Sequence, residues 1–278
     1  MHEAARTSPA ISATRRQWIV RLREAAQGKP TFMFFPHAGG SPLSAGRLAA
    51  ALPDSVGVMA LQLPRQASGT EAGPPRRVAD AVEGIVRALD ALALDTSASP
   101  LQPLIFVGNS YGALLAFETA ARLSTAALRP ARLIVSGFRS PCLPPAETPL
   151  YRLPVKQLRA ELVARFGMAG GDGVDWGCLG LEQALRADLE ACDTYRYRHT
   201  TPLSLPIDVM HLRSDPSVSP EELLAWRTVT CAPARLVTCD GGHFFWASHS
   251  TDFARILLDA AALSSPISHE KVSVHAER

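Results

Sequence analysis

The sequence predicts an α/β protein, a mostly parallel sheet with helices packed on both faces. Three observations predict it. Short apolar runs alternate with longer amphipathic stretches along most of the chain. The runs are apolar almost throughout, as strands buried on both faces are. The length, 278 residues with 47% apolar residues, suits one doubly wound domain, a class that often reaches about 250 residues, and it buries a core that needs no metal or disulfide staple.

The elements follow in chain order. Residues 1–16 are rich in Ala, Ser and Thr without periodicity and read as a mobile tail. The domain is expected over 17–263. Strands are expected at Phe32–Phe35, Val56–Leu61, Leu104–Val107, Leu133–Val135, Ile207–Leu212 and Leu236–Thr238, all as buried strands. Helices are expected at Ser44–Leu52, Val78–Leu92, Tyr111–Ala126 and Phe253–Leu263. The alternation breaks at about 150–197. There, helical patterns at Val155–Arg165 and Leu179–Tyr195 flank a glycine-rich run, Gly167 to Gly173, with no strand between them. A helical insertion between late strands is a place for a lid, and Pro141–Pro149 reads as the loop entering it. Residues 264–278 read as a second mobile tail.

Composition excludes several classes of function. With 28 Lys and Arg against 26 Asp and Glu, the chain lacks the basic footprint of a nucleic-acid binder. No window approaches the roughly 18 apolar residues of a membrane span, and the first ten residues are polar, so a cytoplasmic protein is expected. Cys142, Cys178, Cys192, Cys231 and Cys239 show no metal-like spacing. They read as inert thiols, and no cofactor or metal is expected.

One motif carries chemistry. Gly108-Asn109-Ser110-Tyr111-Gly112 matches G-x-S-x-G, with an apolar strand leading in and a small-residue helix leading out. Such a turn lifts a serine Oγ off the sheet and sets it at a helix N-terminus, where the unpaired N–H groups favour developing negative charge. Ser110 is the expected nucleophile. A serine hydroxyl needs a base, and behind this turn the chain order is serine, acid, histidine. His243 follows an apolar run through Gly241-Gly242, on the rim expected for Ser110, and is the expected base. His249, at the start of the last helix, reads as a solvated side chain.

Asp215 follows the strand Ile207–Leu212 and is the expected acid, holding His243 in the tautomer that accepts the serine proton. Asp240 is the fallback, and Asp208 falls near the strand's other end. The two oxyanion donors are expected to be the backbone N–H groups of Tyr111 and of Ala38, the latter on the loop Pro36-His37-Ala38-Gly39-Gly40-Ser41. His37 precedes the serine and reads as a brace for that loop.

Together with Trp18-Ile19-Val20-Arg21, Leu185-Arg186-Ala187-Asp188-Leu189-Glu190, Thr194-Tyr195-Arg196-Tyr197 and Gly241-Gly242-His243-Phe244-Phe245, these strings resemble the external, type II thioesterases of polyketide and non-ribosomal peptide synthesis. The resemblance covers about 18–263. It implies an α/β-hydrolase fold with a helical lid, and hydrolysis of acyl groups from the phosphopantetheine arm of an acyl or peptidyl carrier protein. It places the family's serine, aspartate and histidine on Ser110, Asp215 and His243, and its oxyanion amides on Ala38 and Tyr111. Two departures stand out. Asn109 and Tyr111 replace the histidine and methionine usual in the turn, and Leu63-Pro64-Arg65 lacks the glycine of the family's Pro-Gly-Arg.

The same acyl-enzyme resolved by an amine, alcohol or internal nucleophile makes an acyltransferase or a product-releasing cyclase. A catalytically inactive carrier-binding accessory is a third reading, which an intact Ser110, Asp215 and His243 oppose. Lys156, Arg159, Arg196 and Arg198 are the candidate contacts for an acidic carrier.

Overall fold

The structure is a computed structural model that describes residues 18–65, 73–94, 103–123, 128–145, 148–168 and 179–264. The expected tails apart from Ser264, most of the glycine-rich run and Cys178 lie outside the described residues. The predicted α/β architecture is present: a seven-stranded sheet in the order β1-β3-β2-β4-β5-β6-β7. Its strands are β1 (Ile19–Arg23), β2 (Thr31–Phe35), β3 (Gly57–Leu61), β4 (Leu104–Asn109), β5 (Arg132–Ser136), β6 (Ile207–Leu212) and β7 (Ala234–Cys239). All neighbours pair in parallel except β1, which runs antiparallel to β3.

Strand pleating splits the core in two. Met33, Phe35, Met59 and Phe106 face one way, packing on α2 (Val78–Ala93) and α3 (Tyr111–Arg122), while Phe32, Phe34, Ile105 and Val107 face the other. The second side is covered by α1 (Gly46–Ala51) and α8 (Ser250–Ala262) through Leu48, Phe253 and Leu257. α2 docks because Val78, Ala81, Val82, Ile85, Leu89 and Leu92 recur at helical spacing, and all six are buried. Between β5 and β6 lie α4 (Val155–Phe166) and α5 (Leu179–Thr194), whose Leu158, Leu162, Leu185 and Leu189 join the first cluster. α6 (Pro220–Leu224) follows β6, capped by Ser219 and Glu222, and α7 (Phe245–Ser248) precedes α8.

The structure corrects three expectations. β1 was not expected; two of the five residues of its sequence Ile-Val-Arg-Leu-Arg are charged, as suits a sheet edge with only β3 as neighbour. β7 was expected to be buried, yet as the opposite edge it leaves Leu236 and Arg235 exposed. α3 ends at Arg122, short of Ala126, where Leu123 turns extended; 124–126 lie outside the described residues.

Register positions the site. Phe35 pairs with Gly108 and Asn109 with Ser136, so β2, β4 and β5 end side by side. Leu212 pairs with Cys239, so β6 and β7 also end together. Loops leaving these ends share one rim, where open parallel sheets bind ligands. At the other end of β6, buried Asp208 accepts hydrogen bonds from Arg132 (3.0 Å) and Arg235 (2.8 Å to each oxygen). Among the described residues no helix is long and apolar enough to cross a membrane.

Candidate active site

Ser110 stands between β4 and α3 with φ 55° and ψ −125°, the only non-glycine residue with positive φ among those described. Such a conformation costs about 1–3 kcal/mol and persists only where the surroundings enforce it. The glycines on either side make it possible. A Cβ on Gly112 would lie 2.0 Å from the Phe35 carbonyl oxygen, and one on Gly108 2.4 Å from the Gly112 carbonyl oxygen. The turn is held by the Ser110 N–H, which donates to Ser136 O at 2.8 Å.

Ser110 opens on a cavity of about 390 Å³, also lined by Ala38, Tyr111, Gly137, Phe166, Leu189 and Cys192. Ala38 and Tyr111 therefore meet at the serine. Tyr111 is the first residue of α3, so its N–H has no partner within the helix. Among the described residues, none of the backbone hydrogen bonds outside helices and strands uses the Ala38 N–H. Two such N–H groups lining one cavity with a serine are of the kind that stabilise an oxyanion.

His243 and Asp215 meet on the same rim. His243 Nδ1 lies 2.8 Å from Asp215 Oδ2, and both side chains are buried. The other carboxylate oxygen accepts the hydroxyl (2.6 Å) and backbone N–H (3.0 Å) of Ser217. Burial acts to raise the Asp215 pKa, but hydrogen bonds and charge from His243, with the two Ser217 donors, outweigh it and hold the carboxyl below its usual range. The imidazole lies against Gly137, where a Cβ would sit 2.8 Å from His243 Cε1, and against the Phe166 ring at 4.7 Å between centroids. Gly137 follows Ser136, the residue that binds the Ser110 N–H, so the histidine stands beside the serine turn.

The alternatives are placed elsewhere. Asp240 is exposed and pairs with Arg213 at 2.6 Å; Asp208 lies at the far end of β6; His249 is exposed and stacks on Phe245. His37 is buried between Phe244 and Trp246, with centroids 5.0 and 5.9 Å away. Burial, with the charges of His243 and Arg65, pushes its pKa down to about 3, so it stays neutral while its carbonyl binds the Gly40 N–H. Asn109 points into the sheet, accepting from Ser136 Oγ at 3.0 Å. No group of His, Cys, Asp and Glu among the described residues could hold a metal.

Sequence reasoning missed two residues here. Ser217 lay two positions past the acid, where a hydroxyl reads as an ordinary turn residue. Asp188 lay within a helical string, yet its Oδ2 accepts the Gly39 N–H at 2.8 Å; a helix carboxylate ordinarily reads as solvated.

Residues 30–260 match the thioesterase domain family. The chain belongs to that family. Thioesterase PikA5 of Streptomyces venezuelae is 30% identical over 263 residues, spanning 90% of this chain and 91% of the relative. The probable cadicidin biosynthesis thioesterase of Streptomyces griseus is 31% identical over 259 residues, 91% of this chain and 70% of its own. Among solved structures, the type II thioesterase BorB from the borrelidin biosynthetic cluster superposes with a TM-score of 0.73 at 30% identity, covering 88% of this chain and 96% of that one. YbtT, a type II thioesterase from a yersiniabactin pathway, also gives 0.73, at 26% identity with 88% and 98% covered. The thioesterase described here is thus an enzyme acting on thioester bonds, on the fold its relatives share.

Proposed function

We propose that this thioesterase hydrolyses acyl groups from the phosphopantetheine arm of acyl or peptidyl carrier proteins in polyketide or non-ribosomal peptide synthesis, through an acyl-enzyme on Ser110. The observation that carries the mechanism is the strained Ser110 turn opening on a cavity beside the buried His243–Asp215 pair. The carrier reading is supported by YbtT, a type II thioesterase from an NRPS/PKS biosynthetic pathway, and by BorB, from a biosynthetic cluster.

In this mechanism Ser110 Oγ attacks the thioester carbonyl carbon as His243 Nε2 takes the hydroxyl proton. The carbonyl oxygen becomes an oxyanion that accepts from the N–H groups of Ala38 and Tyr111. Collapse breaks the carbon–sulfur bond, and the departing thiolate takes the proton from His243, leaving the acyl ester on Ser110. Water then attacks that ester, giving its proton to His243, and collapse returns the proton to Ser110 and frees the acid. Asp215 fixes the imidazole tautomer and stabilises the imidazolium in both halves. α4 and α5, within the expected insertion of about 150–197, serve as a lid over the cavity. The exposed Lys156, Arg159, Arg196 and Arg198 meet the carrier.

The test is incubation with an acyl carrier protein, reading the freed holo protein by intact mass, at rising salt and beside a small uncharged thioester. Efficiency on the carrier substrate should fall with salt while the small substrate is little affected. Equal efficiency on both at every salt concentration would leave a general thioesterase.

A further inference from the structure

The steps above use no residue of α5, yet α5 buries a carboxyl group against the loop that carries Ala38. Asp188 is 4% exposed, and its inward neighbours on the helix, Ala184, Leu185, Ala187 and Ala191, are all apolar. Stability does not explain a carboxyl group there. Burying an ionisable side chain costs free energy, and an apolar residue of similar volume in its place is often neutral or stabilising.

Its hydrogen bond indicates another purpose. Gly39 has φ +73°, and its N–H is directed to Asp188 Oδ2 at 2.8 Å. The next N–H, of Gly40, closes the turn on the His37 carbonyl at 2.8 Å. The N–H of Ala38, one peptide before Gly39, takes no such partner, and Ala38 lines the cavity beside Ser110. Leu185, one helical turn before Asp188, packs on the same glycine: a Cβ there would meet its Cδ1 at 3.2 Å.

We propose that Asp188 is a positioning residue for the oxyanion hole: by holding the Gly39 N–H, it sets the direction of the neighbouring Ala38 N–H. This rests on the acyl-enzyme reading of Ser110. The same helix walls the cavity through Leu189 and Cys192. The surface that receives the acyl group and the anchor of the oxyanion loop are therefore one element, and an acyl group that displaces α5 displaces the anchor too.

Charge fits this role. A bare carboxylate beside the oxyanion would oppose the charge it must stabilise. Arg65, from the loop after β3, is the cation acting on Asp188 and offsets it. Tyr111 and Cys192, which also feel Asp188, add no charge near neutral pH, since burial pushes both up. This gives Arg65 a task, although the string around it departs from the family's.

The test compares full-length wild type, Ser110→Ala, Asp188→Leu and Asp188→Asn on an acyl-pantetheine thioester, with a thermal melt of each. Asp188→Leu keeps the branched four-atom shape of the side chain, with bulkier methyl groups in an apolar setting, and removes the acceptor. Its kcat should fall about 10- to 100-fold, part of the roughly 10²–10³ lost with a whole oxyanion donor, while KM stays within about threefold. Asp188→Asn, whose amide oxygen can accept the same N–H, should recover most of that loss. Undiminished kcat in a folded Asp188→Leu, or equal losses in the leucine and asparagine variants, would overturn the positioning role. If Asp188→Leu does not fold, Asp188→Asn decides against Asp188→Ala, with the same ranking expected and the same equality overturning it. If neither apolar variant folds, Asp188→Asn must keep at least about a tenth of wild-type kcat with unchanged KM, and a larger loss overturns the role. Full activity in Ser110→Ala would instead sink the acyl-enzyme reading itself.

Discussion

Ser214 donates its backbone N–H to the carbonyl of Gly241 at 3.0 Å, tying the loop that carries Asp215 to the loop that carries His243. One residue back, Arg213 N–H reaches Cys239 O, also at 3.0 Å. The pairing of β6 with β7 thus continues past the strand ends, and backbone rather than side-chain chance sets the 2.8 Å contact between carboxylate and imidazole. Asp215→Asn should therefore leave the fold in place and lower kcat by roughly 10³–10⁴, by favouring the wrong tautomer. Asp240→Asn removes only an exposed pairing with Arg213 and should change kcat by less than about threefold. Parallel steady-state kinetics of the two variants check the ranking, and the reverse order would move the acid to Asp240.

Ser110→Ala should abolish turnover with little change in melting temperature. The lost oxygen lines a cavity, and alanine relieves none of the turn's other contacts. Loss of a triad nucleophile costs many orders of magnitude, so more than about a hundredth of wild-type activity would rule out the covalent route. The same variant should resist labelling by a serine-directed phosphonate that modifies the wild type.

Gly112→Ala should lower stability sharply. Its methyl group would sit 2.0 Å from the Phe35 carbonyl oxygen and 2.6 Å from that of Pro36, and both belong to β2 or its exit, at the centre of the sheet. Strand and helix would have to separate, at a cost at the upper end of the roughly 1–3 kcal/mol typical of overpacking. A urea titration of the purified variant measures it; an unchanged midpoint would mean that α3 can slide away from β2.

The central strands were legible because β2 to β5 are buried along their whole length and read as unbroken apolar runs. The edges were not. β1 interleaves Arg21 and Arg23 with its apolar residues and takes its place only by pairing with β3, a contact nearly forty residues away. Ser110, Asp215 and His243 became candidates by rank along the chain, each leaving the end of a strand, and the last two meet at 2.8 Å. Asp188 did not become one. Nothing in a helical string distinguishes a carboxylate turned to solvent from one turned to a backbone N–H 149 residues distant in sequence.

Asp208 answers a different question, since it is buried and fully paired far from the rim. Arg132 and Arg235 both hold it, and Arg132 is itself 6% exposed. Asp208→Ala should destabilise the protein by about 3–5 kcal/mol, because it leaves the Arg132 guanidinium buried without its counter-charge. Activity per folded molecule should be unchanged. A loss of kcat without loss of stability would instead connect Asp208 to the chemistry.

Asp188 and His37 should pull the pH dependence of stability in opposite directions. Burial raises the Asp188 pKa to about 7 from an ordinary 3.8, against the lowering effects of the Gly39 hydrogen bond and Arg65. Between those values the native state keeps a proton that the unfolded chain has released, so stability falls as pH rises through that window. Burial lowers the His37 pKa to about 3 from 6.5. There the unfolded chain binds a proton that the native state refuses, so stability falls as pH drops through that window. Substitution separates the two. The stability of Asp188→Asn relative to wild type should improve as pH is raised from about 5 to about 8, whereas that of His37→Phe should improve as pH is lowered from about 7 to about 4. Urea denaturation at fixed ionic strength across that range reads both slopes. Relative stabilities that change in the same direction with pH, or do not change at all, would mean that one or both groups titrate near their ordinary values in the folded protein.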